Sequence, residues 1–226
     1  MITGQGRAWI LLLLLTTTAT LFTPLEPRAQ AAQDRSASAA AQATLDRIVA
    51  VLETRSSRDT KITLIEGIVS DRFDFQTMSR LVAARAWRAM TVSQQQKFGS
   101  EFREHLAVTY GRYVDRYDGQ TMVVVGERDE ARGDRTVRTE IRGKNAAPIS
   151  IVYRMRSSDG NWRIIDVIVE DISLVSNFRA QIAGLVSSRG VEGMLETLRR
   201  KNAGGKSILP DRNSVEERSR PSSAGS

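Results

Sequence analysis

Catalysis has few places to live in this chain. The single histidine, His105, falls in a helical stretch one residue before Leu106, with Arg103 and Glu104 beside it. General acid–base work needs a positioned partner within hydrogen-bond reach, and no neighbour in sequence supplies one. Spacing permits a Ser-His-Asp set, but no nucleophile-elbow pattern accompanies it. Zinc-protease, phosphate-loop and calcium-loop motifs are absent. Adjacent carboxylates occur at Asp129-Glu130 and Glu170-Asp171. Neighbours on a strand point to opposite faces, which suits neither for paired acid–base chemistry. Asp171 is expected to cap the following helix or meet an arginine. With no cysteine, thiol catalysis and thiolate metal sites are excluded. We therefore expect no catalytic residue, metal or cofactor. Should the chain be an enzyme on an apolar substrate, such as an isomerase or dehydratase, Asp166 is the best candidate, expected on one strand face with Trp162 and Ile164.

The elements that hold these residues follow from periodicity. Leu45, Ile48, Val49 and Leu52 recur at helical spacing from Thr44, and a second helix is expected from Asp59, carrying Ile62, Ile65 and Val69. Asp74 reads as the N-cap of a third helix with Met78, Leu81 and Val82. Ser93 with Gln96 forms a capping-box signature. It opens the longest expected helix, of about 22 to 25 residues, with Phe98, Phe102, Leu106, Tyr110 and Tyr113 in one stripe. From Gly119 the period changes to strands at 120–126, 135–142, 148–156 and 161–170, and Asp159-Gly160 is a hairpin signal. Short connections make these four strands antiparallel. A helix with Leu174, Phe178, Ile182 and Leu185 then ends at Gly190, and a shorter one follows from Val191. The fold class is α+β: helices, four strands, two helices.

Both sheet faces carry apolar residues. Ile149, Ile151 and Tyr153 share one face of their strand; Trp162, Ile164 and Ile168 are expected on one face of the next, with Ile165, Val167 and Val169 on the other. Such a sheet must be covered on both sides or must enclose something. Periodicity leaves a dry two-sided core and an internal cavity both open.

At the N-terminus, Arg7, the apolar run of about 14 residues from Trp9 to Phe22 and the A-x-A pattern Ala29-Gln30-Ala31 read as a cleavable export signal over 1–31, the run being short of the ~20 residues of a spanning helix. Residues 32–43 read as a flexible leader and 203–226 as a disordered tail. The domain between, 44–202, can carry one ordinary core. The net charge of +7 becomes +6 once Arg7, Arg28 and Glu26 leave with the signal. Export and the dispersal of the basic residues argue against nucleic acid. Arg80, Arg88, Arg154 and Arg163 can steer toward anionic surfaces or form a solvated basic exterior.

One resemblance runs through most of the folded part. The strand-to-helix segment WRIIDVIVEDISLVSNFR (162–179), FDFQTMSR (73–80), the run from Trp87 through SQQQKF to Tyr110, and GVEGMLETLRRK (190–201) together resemble the MlaC family of periplasmic lipid carriers, also known as toluene-tolerance auxiliary proteins. The likeness spans about residues 42 to 202. Two positions depart from the family pattern: Ala83-Ala84 where Leu-Gly is frequent, and Asp171 where Gly is frequent. The resemblance implies a helical half on a curved antiparallel sheet, like a nuclear-transport-factor-2-type cone, with acyl chains in the cavity between. It implies a phospholipid cargo, or a hopanoid in one branch of relatives. The implied partners are an inner-membrane ABC lipid transporter complex and an outer-membrane lipoprotein–porin complex. The expected lining is Trp87, Phe98, Phe102, Leu106, Tyr110, Val123, Ile151, Tyr153, Ile164, Leu174, Phe178 and Ile182. A non-catalytic adaptor with a dry core is the alternative.

Overall fold

The computed structural model describes residues 36–144, 147–158 and 160–209. Helices α1 (Ala37–Leu52), α2 (Arg58–Arg72), α3 (Phe75–Ala83), α4 (Arg85–Ala89) and α5 (Val92–Tyr110) precede a 3-10 turn (Gly111–Arg116). Strands β1 (Thr121–Asp129), β2 (Arg135–Arg142), β3 (Ile149–Ser158), β4 (Asn161–Val169) and β5 (Ile172–Ser173) form one antiparallel sheet in chain order, followed by α6 (Leu174–Ala203). The fold is α+β as expected, but with a fifth strand. No helix among the described residues is long and apolar enough to cross a membrane. The expected export signal and the tail beyond Leu209 lie outside the described residues.

Local chemistry accounts for most boundaries. Ser36, Ser57, Asp74 and Ser173 each accept a hydrogen bond from the backbone three residues on, supplying the N-caps of α1, α2, α3 and α6. The capping box of α5 lies at Thr91 and Gln94, two residues before the expected Ser93–Gln96 pair. Both pairs fit the pattern; the helix uses the earlier one, and it stops at Tyr110, short of Tyr113. Gly190, at φ 67, breaks α6 where the sequence ends one helix and starts another.

The expected leader is helical from Ala37 onward. Ala37, Ala40 and Ala41 are buried against Val137, Met155 and Ile164, because small side chains let α1 lie close on the sheet. Ser38 donates from both backbone and hydroxyl to Glu127. Burial pushes the Glu127 carboxyl up, yet the Ser38 bonds and Arg135 outweigh it and hold the group below its ordinary value. Gln42 caps the open edge of β1, accepting from the Val124 amide at 2.9 Å and donating to the Met122 carbonyl at 3.1 Å.

The described first residues of the expected tail, up to Leu209, fold back. Ile208 and Leu209 pack on the core formed by α3, α5 and α6, and the Ile208 amide donates to His105 Nε2 at 2.9 Å.

Both departures from the family pattern sit at positive φ. Asp171 (φ 64) follows Glu170 (φ 47) in the two-residue turn joining β4 to β5, so it does not cap α6; Ser173 does. Ala84 (φ 48, ψ −113) stands between α3 and α4, exposed. An L residue held in such a conformation costs on the order of 1–3 kcal/mol, against about 0.5–1 kcal/mol for glycine's extra chain entropy. Ala84→Gly should therefore raise stability by about 1 kcal/mol in urea unfolding; a loss of stability would show that the backbone there is unstrained.

Candidate functional site

Residues paired across an antiparallel ladder share a face, which sorts the sheet into rows. On the inner face the rows run Met122, Ile141, Ile149; then Val124, Thr139, Ile151, Val169, Ile172; then Glu127, Val137, Tyr153, Val167; then Asp129, Arg135, Met155, Ile164. The last two rows are the dry end. Val137 and Met155 are fully buried and Ile164 nearly so, beneath the alanines of α1. The first two rows, the open end, are only partly covered, Thr139 being the one buried member. Met122, Ile141, Ile151 and Val169 are half-buried, while Ile149 and Ile172 are 44% and 49% exposed. An inward sheet face that stays apolar past its cover is a surface waiting for apolar contact.

Tyr153 marks the boundary between the two ends. Its side chain is half-buried, yet desolvation by the surrounding protein pushes the phenol up to about 12, a hydrogen bond with Thr139 acting the other way. The phenol is therefore protonated throughout the physiological range. Thr139 is buried and donates to the Ile151 carbonyl at 3.0 Å.

The twelve residues of the expected lining do not form one wall. Phe98, Phe102, Leu106, Leu174, Phe178 and Ile182 belong to the core between α3, α5 and α6, with Trp87 packed against it. Phe98, Phe102 and Phe178 expose no surface. Their rings lie 5.8 Å (Phe98–Phe102) and 5.4 Å (Phe102–Phe178) apart, so they border no open space in this structure. Ile164, Tyr153 and Ile151 do share the inner sheet face. Tyr110 is 37% exposed at the end of α5. Val123 pairs with Glu140 on the opposite face, because strand alternation turns it away from Met122 and Val124. Sequence reasoning missed Met122, Ile141, Val169 and Ile172 as members of the open rows. Alternation within β1 and β2 was the available signal for Met122 and Ile141.

A bulge corrects the reading of β4. The ladder steps from Arg154–Asp166 to Met155–Ile164, leaving Ile165 as the extra residue. Trp162, Ile164, Val167 and Val169 consequently share the inner face, and Ile168 turns outward. Asp166 is outward too, opposite Arg154, and is not beside Trp162 and Ile164 as expected. Its carboxylate accepts from Ser173 Oγ at 2.6 Å and from the Val175 amide at 3.0 Å, fastening the start of α6. A carboxylate so occupied on the outer face is ill-placed for chemistry on an apolar substrate inside.

The outer face is basic, with Arg138, Arg142 and Arg154 exposed; Arg156 is held bidentately by buried Asp134 at 2.7 Å to each oxygen. Arg163 lies on the same face and reaches the Asp71 carbonyl at 3.4 Å, whereas Arg80 and Arg88 are exposed on α3 and α4. Elsewhere, a groove of about 540 Å³ between α1 and α2, lined by Val51, Leu64, Gly67 and Ile68 and edged by Arg47 and Asp71, contains none of the twelve expected residues.

Similar proteins place this geometry. A curated relative, toluene tolerance protein ttg2D of Pseudomonas putida, is 29% identical over 107 residues, which cover 46% of this chain and 48% of the relative; the chain thus matches about half of that protein's length. A solved phospholipid-binding protein from Ralstonia solanacearum, determined in complex with a phospholipid, shares the fold. It superposes with a TM-score of 0.69 at 24% identity, over 75% of this chain and 98% of that one. The MlaC protein family model matches residues 39–200, from the first turn of α1 to the last of α6. With the helices, the sheet and the closing helix all inside that match, the chain belongs to the MlaC family.

Proposed function

We propose that this protein is a non-catalytic periplasmic carrier that holds a membrane phospholipid with its acyl chains against the open rows of the inner sheet face. The observation that carries this reading is the gradient on that face, dry under α1 and apolar but only partly covered at Met122, Ile141, Ile151 and Val169 and exposed at Ile149 and Ile172. Burying an acyl chain of ~14 methylenes is favourable by on the order of 11 kcal/mol at ~0.8 kcal/mol each, sufficient to retain a lipid in water without a specific polar site. Family membership and the phospholipid bound to the Ralstonia protein support the cargo class. On this reading the cone-like cavity of the family forms between the open rows and the helices. The cargo passes between an outer-membrane lipoprotein–porin complex and an inner-membrane ABC transporter, and the basic exterior steers the carrier to anionic surfaces.

A charge placed among the open rows should expel the lipid. Ile151→Asp should reduce co-purified phospholipid, counted by native mass spectrometry, at least tenfold, since an uncompensated carboxylate in an apolar contact costs more than 1.4 kcal/mol. Circular dichroism should show the variant folded. A folded variant with undiminished lipid would remove the inner face as the site.

A further inference from the structure

On the sheet, Arg128, Arg135, Arg142 and Arg156 each meet a carboxylate at 2.6–2.8 Å. The helices of the other layer are charged differently. From Phe75 to Ser100 and from Ile172 to Val191 the chain has no acidic residue, although it carries 26 in all. Those two segments hold Arg80, Arg85, Arg88, Lys97, Arg179 and Arg189, every one of them exposed. Among the described residues none of the six forms an ion pair. Hydrogen bonds join the segments into one surface. Arg179 donates from Nε to the Leu81 carbonyl at 2.8 Å, tying α6 to the end of α3. Gln95 donates to the Trp87 carbonyl at 2.9 Å, tying α5 to α4. Gln94 donates to the Glu192 carboxylate at 2.8 Å, tying α5 to α6 just beyond Arg189. Apolar side chains stand among the cations: Val92 is 70% exposed at the start of α5, and Trp87 is half-buried beside Arg88.

We infer that this surface, on α3, α4 and the first turns of α5 and α6, docks the protein on the anionic phospholipid face of a membrane. Cations spread over four helices suit a fluid layer of headgroups, which brings a phosphate to each wherever it stands; a protein partner must fix its carboxylates to match. Arginine binds phosphate oxygens in pairs, and five of the six cations are arginines. Tryptophan and an exposed valine among them fit the region just beneath the headgroups, where an amphipathic ring is favoured. The surface also adjoins the open rows. Ile172 of those rows leads directly into α6, and Arg179 follows within about two turns. Docking there sets the exposed apolar edge beside the bilayer that gives or receives the cargo.

The docking surface rests on the carrier reading for its purpose, though not for its chemistry, and sedimentation of the full mature chain with vesicles separates the two. Phosphatidylcholine vesicles containing phosphatidylglycerol should pellet the wild type at low salt and release it as salt rises; phosphatidylcholine alone should hold little. Each arginine near an anionic surface contributes about fivefold, so Arg80→Gln, Arg85→Gln and Arg88→Gln combined should weaken binding about a hundredfold. Circular dichroism should show that variant folded. Arg138→Gln, Arg142→Gln and Arg154→Gln combined remove the same charge from the sheet and should weaken binding less than about fivefold. Equal losses from the two triple variants would assign the attraction to net charge and overturn the patch. Failure of the wild type to bind the anionic vesicles would overturn membrane docking and leave an acidic protein as the partner of these cations. Lipid on the re-isolated chain, counted by native mass spectrometry, is read separately. Docking without uptake would overturn carriage and uphold the patch; uptake with no preference for anionic vesicles would overturn the patch and uphold carriage.

Discussion

Phe178→Ala should cost about 3–5 kcal/mol of stability, the usual loss for a large aromatic removed from a closed core. Phe178 is fully buried and meets Phe102 edge-on at 5.4 Å and His105 at 5.7 Å, so the truncation removes two ring contacts as well as apolar area. Against a typical total of about 5–15 kcal/mol, such a loss brings the chain near unfolding at ambient temperature. Urea titration followed by circular dichroism measures it, and Phe178→Leu, which keeps most of the volume, should lose less than half as much. The same pair of variants decides what the helical core is for. If the rings are structural, the folded fraction of Phe178→Leu carries as much lipid as the wild type. Were Phe178 part of the cargo wall, lipid would fall while stability held, and addition of phospholipid would restore the midpoint of Phe178→Ala.

How far the sequence shows this arrangement depends on the range of the forces involved. Caps and periods are local, which is why the Asp74 cap, the break at Gly190 and the common face of Ile149, Ile151 and Tyr153 are readable directly. The start of α1 is not. Ala37, Ala40 and Ala41 carry little hydrophobic signal, and their value lies in letting a helix approach strand residues that come 96 to 127 positions later. The β4 bulge at Ile165 flips a whole strand face from one added residue, and nothing in the alternation of WRIIDVIV marks which residue is extra. That one step moves Asp166 outward and brings Val167 and Val169 inward. The expected lining fails as a single wall for a related reason. A stripe such as Phe98, Phe102 and Leu106 says only that a helix face is buried. Whether it meets the sheet or other helices is a tertiary outcome, and here α6 fills the space with Phe178 and Ile182.

The second large effect belongs to His105, and it concerns pH. The ring accepts at Nε2 from the Ile208 amide, which fixes the proton on Nδ1, where it donates to Asn202 Oδ1 at 2.6 Å. Asn202 in turn donates from Nδ2 to the Glu101 carbonyl at 3.0 Å and to the Glu101 carboxylate at 2.8 Å. A second proton on the imidazole has nowhere to go: it would face the Ile208 N–H, in a site that exposes no surface. Burial accordingly pulls the His105 value down; the Asn202 bond and the Glu101 charge act upward, and the Lys201 charge downward. Because the folded value lies below the unfolded value of about 6.5, the unfolded chain binds the extra proton first. Stability from this group is complete above pH ~6.5 and falls as pH drops from there toward the folded value, by at most about 1.4 kcal/mol per pH unit. With one histidine in the chain, and carboxylates titrating mainly nearer pH 4, the interval from pH 6.5 to about 5 reports chiefly on His105. Urea midpoints should decline across that interval in the wild type and stay level in His105→Gln. Protection of the Ile208 amide, taken against the intrinsic exchange rate at each pH, should fall over the same range, as the returning segment loses its acceptor and lifts from the core. An equal decline in both proteins would assign the pH dependence elsewhere and leave His105 as a neutral packing residue.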